Sequence, residues 1–434
     1  MSMPKRIPRS VRAMLAGASA LLALSFATRA GAQESDLASL RAAAKANPQD
    51  AAASFALGKA LRRAGHFPEA VAELGHGALM GSATKAGLVS PIRYELARVK
   101  IDQRDLGGAI AACNALSKAL AAACRAEAHL MQNRATEAMP EAQKALELEA
   151  SLYEGKVAEG RSLSLMGKVT EAEAALRAAA SSTDGRPEAH LSLGVFLLAQ
   201  GKRDAGIAEL KKARAADASD PVIAFQLGEA LGATKEGRDA FAAAAKIRPT
   251  FAAAHAGLAR AALGLGDLPA AEASAIEAVK QDPKLFAAHV ALGTVRVAQA
   301  RWDDAMKEGE AAKKLIPNSA SGELIVADAH AGKGDIDLAV ESYQKAFGLD
   351  RTDPTPLVRA AHGCTAAGRY TTAKGFADRV TSDFPKWGPG WVELGDLAAK
   401  QGDKAKARSA YETALKGEGP VDKAAVQKKL AALK

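Results

Sequence analysis

Aromatic residues are scarce in this chain. Phe, Tyr and Trp together make up 4% of 434 residues, although apolar residues reach 48%. A core drawn from that pool is built mainly of Ala, Leu and Val, which suits closely packed helices better than sheets. The vocabulary for metal binding and catalysis is just as thin. The eight histidines include no His-x-x-x-His pair, and Cys113, Cys124 and Cys364 form no Cys-x-x-Cys, so a zinc site has no ligand set. No P-loop occurs. "GLGDLP" from Gly264 begins like a dinucleotide fingerprint, but Pro269 replaces the third glycine and the surroundings read helix–helix. "SATK" from Ser82 to Lys85 has the serine–lysine spacing of acyl-transfer enzymes without their Ser-Asp-Asn or Lys-Thr-Gly companions. These absences predict no catalysis, no metal and no cofactor.

Long apolar runs are absent too, with one exception at the start. Lys5, Arg6, Arg9 and Arg12 precede an apolar run from Ala13 to Ala27, followed by Ala30-Gly31-Ala32. That layout predicts a secretory signal over residues 1–32, with Gln33 as the new N-terminus and the mature protein periplasmic or secreted. The run is too short to span a bilayer comfortably, so no membrane span is expected in the mature chain. Five of the 58 basic residues and no acidic ones lie in those 32 residues. Of the formal net charge of +9, about +4 then remains, weak grounds for a nucleic-acid partner.

What the chain has in abundance is repetition. "GDLPAAEASAIEAVKQDP" from Gly266 returns as "GDIDLAVESYQKAFGLDR" from Gly334 and "GDKAKARSAYETALKGEG" from Gly402. Ala300 and Gly368 stand midway, so the step is 34 residues. A small residue recurs five places on, at Ala271, Ala305, Ala339, Ala373 and Ala407, and prolines close copies at Pro249, Pro283, Pro317 and Pro385. The turn glycine can take the left-handed conformation that ends a helix, the recurring alanine lets a second helix pack closely, and the proline stops that helix. A single hairpin cannot bury its own apolar face, so the copies must stack. Starts fall at Ala51, Ser90, Ala119, Tyr153, Pro187, Pro221, Ala252, Phe286, Ala320, Pro354 and Gly388, with irregular steps of 39, 29 and 31 residues among the first seven. The small site reads Ala70, Ala109, Ala138, Ala172, Gly206 and Gly237 in the earlier copies.

These residues resemble the tetratricopeptide repeat (TPR) family over nearly the whole mature chain. "LGVFLLAQGKRDAGIAELKKARAAD" and "LGKALRRAGHFPEAVAEL" lie close to its pattern. The aromatic expected early in each first helix is present only as Trp391; His190, His255 and His289 take that place elsewhere. The resemblance implies an all-α, right-handed superhelical solenoid of about eleven helix–turn–helix repeats, with a concave groove for peptide or protein. The expected organisation is signal 1–32, N-terminal capping helix 33–50, solenoid 51–420 with a strict period from 252, and C-terminal capping helix 421–434.

In the family certain first-helix places face the groove. Here one such place reads Leu191, Phe225, Ala256, Val290, Leu324, Val358 and Val392. Four residues on, along the same face, stand Val195, Glu229, Arg260, Thr294, Asp328, His362 and Asp396. An apolar ladder beside a mixed-charge ladder suits an extended peptide with alternating apolar and polar side chains, unless the apolar ladder instead packs repeat on repeat. The Lys and Asn set that clamps a terminal carboxylate in some chaperone-binding relatives is missing. His255 and His289 read as packing residues. A Cys113–Cys124 disulfide is open, with two buried thiols the preferred reading, and Cys364 reads as core. The whole describes an exported, non-enzymatic scaffold binding protein or peptide in its groove. The alternative is a structural component of an envelope assembly or export complex (polysaccharide, pilus or outer-membrane biogenesis), acting through self-association or fixed partners. The stretch from Leu74 to Pro91 breaks the register and is where a catalytic insertion would have to lie. Oligomeric state is not readable.

Overall fold

The computed structural model describes residues 37–84, 86–181 and 186–433. The signal segment and its cleavage site lie outside them. The described residues form helices and no strand, with an isolated bridge between Trp387 and Glu418. Helix α1 covers 37–46. Pairs then follow one another: α2 (Ala51–Ala64) with α3 (Phe67–Thr84), α4 (Ala86–Asp102) with α5 (Leu106–Cys113), α6 (Lys118–Leu130) with α7 (Ala135–Leu148), and α8 (Tyr153–Leu165) with α9 (Val169–Ser181). Next come α10 (Pro187–Ala199) with α11 (Arg203–Ala216), α12 (Pro221–Leu231) with α13 (Lys235–Ile247), and α14 (Ala252–Gly264) with α15 (Leu268–Gln281). The last pairs are α16 (Phe286–Ala298) with α17 (Trp302–Leu315), α18 (Ala320–Lys333) with α19 (Ile336–Leu349), α20 (Thr355–Ala366) with α21 (Tyr370–Asp383), and α22 (Gly388–Lys400) with α23 (Lys404–Lys416). Helix α24 (Lys423–Ala432) closes the chain. The chain forms two compact units that divide between Ala254 and His255, inside α14.

The turn inside each pair explains the quoted motif. Gly334 adopts φ 87°, and the next N–H, of Asp335, donates back to His330 O at 2.9 Å, which ends α18. The aspartate after the glycine starts the second helix: Asp267 accepts from Ala270 N at 3.2 Å and Asp403 from Lys406 N at 3.0 Å. Glycine stops one helix and aspartate begins the next. Arg104, Asn133 and Ala300 take the same left-handed place with φ of 60°, 57° and 55°.

The irregular steps have local causes. Helix α3 runs to 18 residues and α4 to 17, with Pro91 inside it, so the segment from Leu74 to Pro91 is regular helix up to Thr84 and again from Ala86. The expected start at Ser90 therefore lies within α4 rather than at its beginning. Helix α5 has only 8 residues, and α12 only 11 where α10 and α14 have 13.

Packing follows the small-residue register. Ala70, Ala109, Ala138, Ala172, Ala271, Ala305, Ala373 and Ala407 are fully buried and Ala339 is 2% exposed. At the matching first-helix place, a Cβ on Gly395 would lie 2.5 Å from Tyr411 Cε1, so this glycine lets the tyrosine ring lie against the backbone of α22. In the second unit the largest core joins Ala339, Tyr343, Phe347, Leu357, Phe376, Val380 and Leu397, which come from successive pairs. No hairpin supplies such a core alone.

Candidate functional site

In the first unit, the first helices of consecutive pairs line a cleft of about 480 Å³. Helix α4 supplies Tyr94, Arg98 and Asp102 at four-residue spacing, which places them on one face. Helix α6 adds Glu127, α8 adds Tyr153, Glu154 and Arg161, α10 adds Leu191 and Val195, and α12 adds Ile223 and Gln226. Met131, Leu165 and Val195 line it while remaining 52%, 52% and 39% exposed. Exposed apolar side chains of that size inside a concavity are what an apolar ligand segment buries.

The base of the cleft is charged and highly organised. Arg62, 4% exposed, donates Nε–H to Glu95 at 2.5 Å and Nη1–H to Asp102 at 2.9 Å. Arg98 donates to Glu188 at 2.9 Å. Burial works against both guanidinium charges, yet the facing carboxylates hold both above the ordinary arginine value. Glu154 differs: burial pushes its carboxyl up, and its neighbours do not offset that. Tyr94 donates to Glu127 at 2.9 Å, and burial followed by the negative neighbours pushes its phenol well up. Buried pairs of this kind contribute little net stability and mainly fix geometry.

The ladder residues fall into two groups. Leu191 packs beside Leu210 and Leu227, while Phe225 stacks against Phe241 and Phe251 with ring centroids at 5.8 and 5.1 Å. In the second unit, Val290 packs on Ala305 and Ile325, Leu324 and Val358 on the core around Leu357, and Val392 on Tyr411 and Val426. Ala256 is buried. The apolar ladder is thus half-buried at the seams between pairs, and packing repeat on repeat is a large part of its work. The second ladder reaches solvent more: Val195, Glu229, Arg260 and His362 are exposed. Thr294 donates to Val290 O at 2.8 Å, Asp328 pairs with Tyr343 and Arg359, and Asp396 with Tyr411 and Lys429. His362 faces Glu393 at 3.2 Å, a contact that raises its imidazole above the ordinary value.

Tyr94, Arg98, Glu127, Val157 and Arg161 belong to the same two register places, three pairs nearer the N-terminus, and line the cleft without having been singled out in the sequence. Carrying the ladder back across the irregular steps would have found them. Glu154, Glu188 and the α12 residues follow no such signal.

The histidines at the aromatic place are explained by a shared bond. Trp391 Nε1–H donates to Pro385 O at 2.8 Å, and His289 Nε2 lies 2.9 Å from Pro283 O. Both rings tie a first helix to the proline that stops the helix before it. Nδ1 of His289 faces Glu308 at 2.7 Å, and Nδ1 of His190 faces Glu209 at 2.6 Å.

Cys113 and Cys124 are joined in a disulfide, with Cα atoms 5.6 Å apart, which corrects the preference for two free thiols. The short α5 ends at Cys113 and so delivers it beside α6. Cys364 is a buried free thiol, pushed up by that burial. Among the described residues no group of three or more His, Cys, Asp and Glu is placed to hold a metal ion, and no helix is long and apolar enough to cross a membrane.

A tetratricopeptide repeat family model matches residues 37–86, 157–221, 256–320 and 366–426, and another matches 324–353. The chain belongs to the tetratricopeptide repeat family. No curated protein matches it. Solved structures similar to it include yeast Tom70, at 14% identity over 88% of this chain and 95% of that one, TM-score 0.45. A tetratricopeptide repeat protein from Parabacteroides merdae aligns at 14% identity over 65% of this chain and 98% of that one, TM-score 0.42. A thermophilic TPR protein from Thermus thermophilus aligns at 22% identity over 41% and 99%, TM-score 0.37. Stacked TPR helix pairs present the even-numbered helices of the first unit to the cleft, and their partner helices carry the small buried residues against which these pack.

Proposed function

We propose that this TPR protein is an exported, non-catalytic scaffold that holds an extended segment of a protein or peptide against the first helices of its first unit. The observation that carries this reading is the cleft itself. Consecutive first helices contribute in turn, exposed apolar side chains stand above a charged floor, and the volume is within the range of ligand sites. An extended chain needs a repeating set of polar and apolar partners of this kind. Export is supported by the three-part segment over residues 1–32, and the Cys113–Cys124 bridge suits an oxidising compartment.

Affinity capture from the native envelope, followed by mass spectrometry, tests the reading. Leu165→Glu combined with Val195→Glu alters two exposed side chains, so the melting temperature should stay within a few degrees while captured partners are lost. Capture that survives the double substitution would place the partner elsewhere. A protein that recovers only its own copies would favour the self-associating envelope component.

A further inference from the structure

In the first unit the earliest pair reaches the latest. Arg63, in the last turn of α2, pairs with Asp217 at the end of α11 and donates to Ser219, 154 and 156 residues away. Arg248, after α13, returns the contact: its Nε–H donates to Arg63 O at 3.0 Å and its Nη2–H to Arg62 O at 3.4 Å. Its guanidinium also lies 3.7 Å from Asp102 and 5.6 Å from the Phe67 ring centroid. At the turn between α2 and α3, a Cβ on Gly65 would lie 2.9 Å from Thr250 Oγ1, so the two backbones approach closely there.

This contact is unlike any other in the unit. Repeats bury their apolar faces against immediate neighbours, and that nearest-neighbour packing stabilises the array whether or not its ends meet. The closing contact is made instead of guanidinium, carboxylate, hydroxyl and carbonyl groups. Pairs of this kind are sensitive to ionic strength where water can reach them, and Asp217 and Arg63 keep 14% and 13% side-chain exposure. Closure also leaves Arg62 Nη2 and Arg63 Nε buried without acceptors, a cost that separation would relieve. Separation needs no single hinge, because small rotations at each seam between pairs add up along the turn. The seam bounds the cleft: Arg62 lines it from one side and Asp220, Val222 and Ile223 from the other.

We infer that the contact of Arg63 with Asp217 and Ser219, backed by Arg248, is a polar latch that closes the first unit around its cleft and releases to admit the ligand. The latch rests on the peptide-binding reading for its purpose but not for its existence. It is tested by distance measurement between spin labels at Ala56→Cys on α2 and Ala215→Cys on α11, two exposed positions, in full-length protein carrying Cys364→Ala. The native protein at low salt should give one short distance. Arg63→Asp should raise the longer-distance fraction roughly tenfold, in keeping with loss of a partly shielded ion pair, and Arg63→Asp with Asp217→Arg should restore the short distance. Arg125→Ala, which breaks the neighbour-to-neighbour pair with Glu141, should change nothing. Should Arg63→Asp fail to fold, the unsubstituted latch in 1 M potassium chloride decides the matter, since the longer distance should appear there too. Distributions that superimpose at low and high salt overturn the latch. A chain that opens with salt yet captures no partner keeps the latch and sinks the peptide reading; one that captures through Leu165 and Val195 without opening does the reverse.

Discussion

Tyr411 donates its hydroxyl to Asp396 at 2.6 Å, and two repeats earlier Tyr343 donates to Asp328 at 2.7 Å. Each tyrosine lies on a second helix 15 residues beyond its aspartate on the first. The two groove-ladder aspartates are therefore already held within their own repeats. Burial, followed by the adjacent carboxylate, pushes both phenols upward, so they remain donors at neutral pH.

Tyr343→Phe removes that donor with little change in shape. A hydrogen bond to a charged, largely buried acceptor contributes about 1.5–3 kcal/mol, and Arg359 still pairs with Asp328. Urea unfolding should show a loss of about 1–2 kcal/mol. Stability equal to wild type would mean that the phenol contributes no net bond.

Ala300 holds a left-handed turn at φ 55°, where other pairs use glycine. A Cβ in that region costs about 1–2 kcal/mol, and glycine gives back part of the gain through its freer unfolded chain. Ala300→Gly should raise stability by about 0.5–1 kcal/mol. Calorimetry showing a lower melting temperature would reject the turn assignment.

Ala339, 2% exposed, sits among Ala327, Tyr343 and Leu357. Ala339→Leu should cost about 1–3 kcal/mol through overpacking and make melting less cooperative around that pair. A melt indistinguishable from wild type would show that the site tolerates bulk. Val290→Glu with Leu324→Glu should also destabilise, because both side chains pack on seam cores.

The Cys113–Cys124 bridge spans a sequence separation of 11 residues. Closing a loop of that length contributes about 2–3 kcal/mol by the chain-entropy argument. Melting with and without reductant should differ accordingly, and peptide mapping of protein from the envelope should find the two cysteines linked. Two freely alkylated thiols would remove the bridge and its support for an oxidising compartment.

Acid should weaken the charged floor. Burial raises the Glu95 and Asp220 carboxyls, but Arg62 and Arg98 outweigh it and hold both below the ordinary range. A carboxyl lowered by folding contributes stability that is present above its unfolded value, about 4, and is lost as pH falls through the lower folded value. Asp220→Asn should therefore flatten the loss of stability below about pH 4. An unchanged acid limb would mean these carboxyls are not coupled to folding.

The sequence by itself determined the repeat. The glycine–aspartate turns, the small residues five places on and the closing prolines act within one hairpin or between neighbours, so their spacing alone reveals helix, turn and close packing. The same register was enough to name Leu191 and Val195, which the cleft does use. Tertiary structure decided what depends on how seams add up. Whether Val290 or Val392 faces ligand or a neighbouring helix is set by the rotation between pairs, which no single repeat encodes. The meeting of Arg63 with Asp217 needs the accumulated turn of the intervening pairs, including the shortened α5 and α12. Arg62, Glu154 and Asp220 look like ordinary surface charges in the sequence, and only that curvature buries them together.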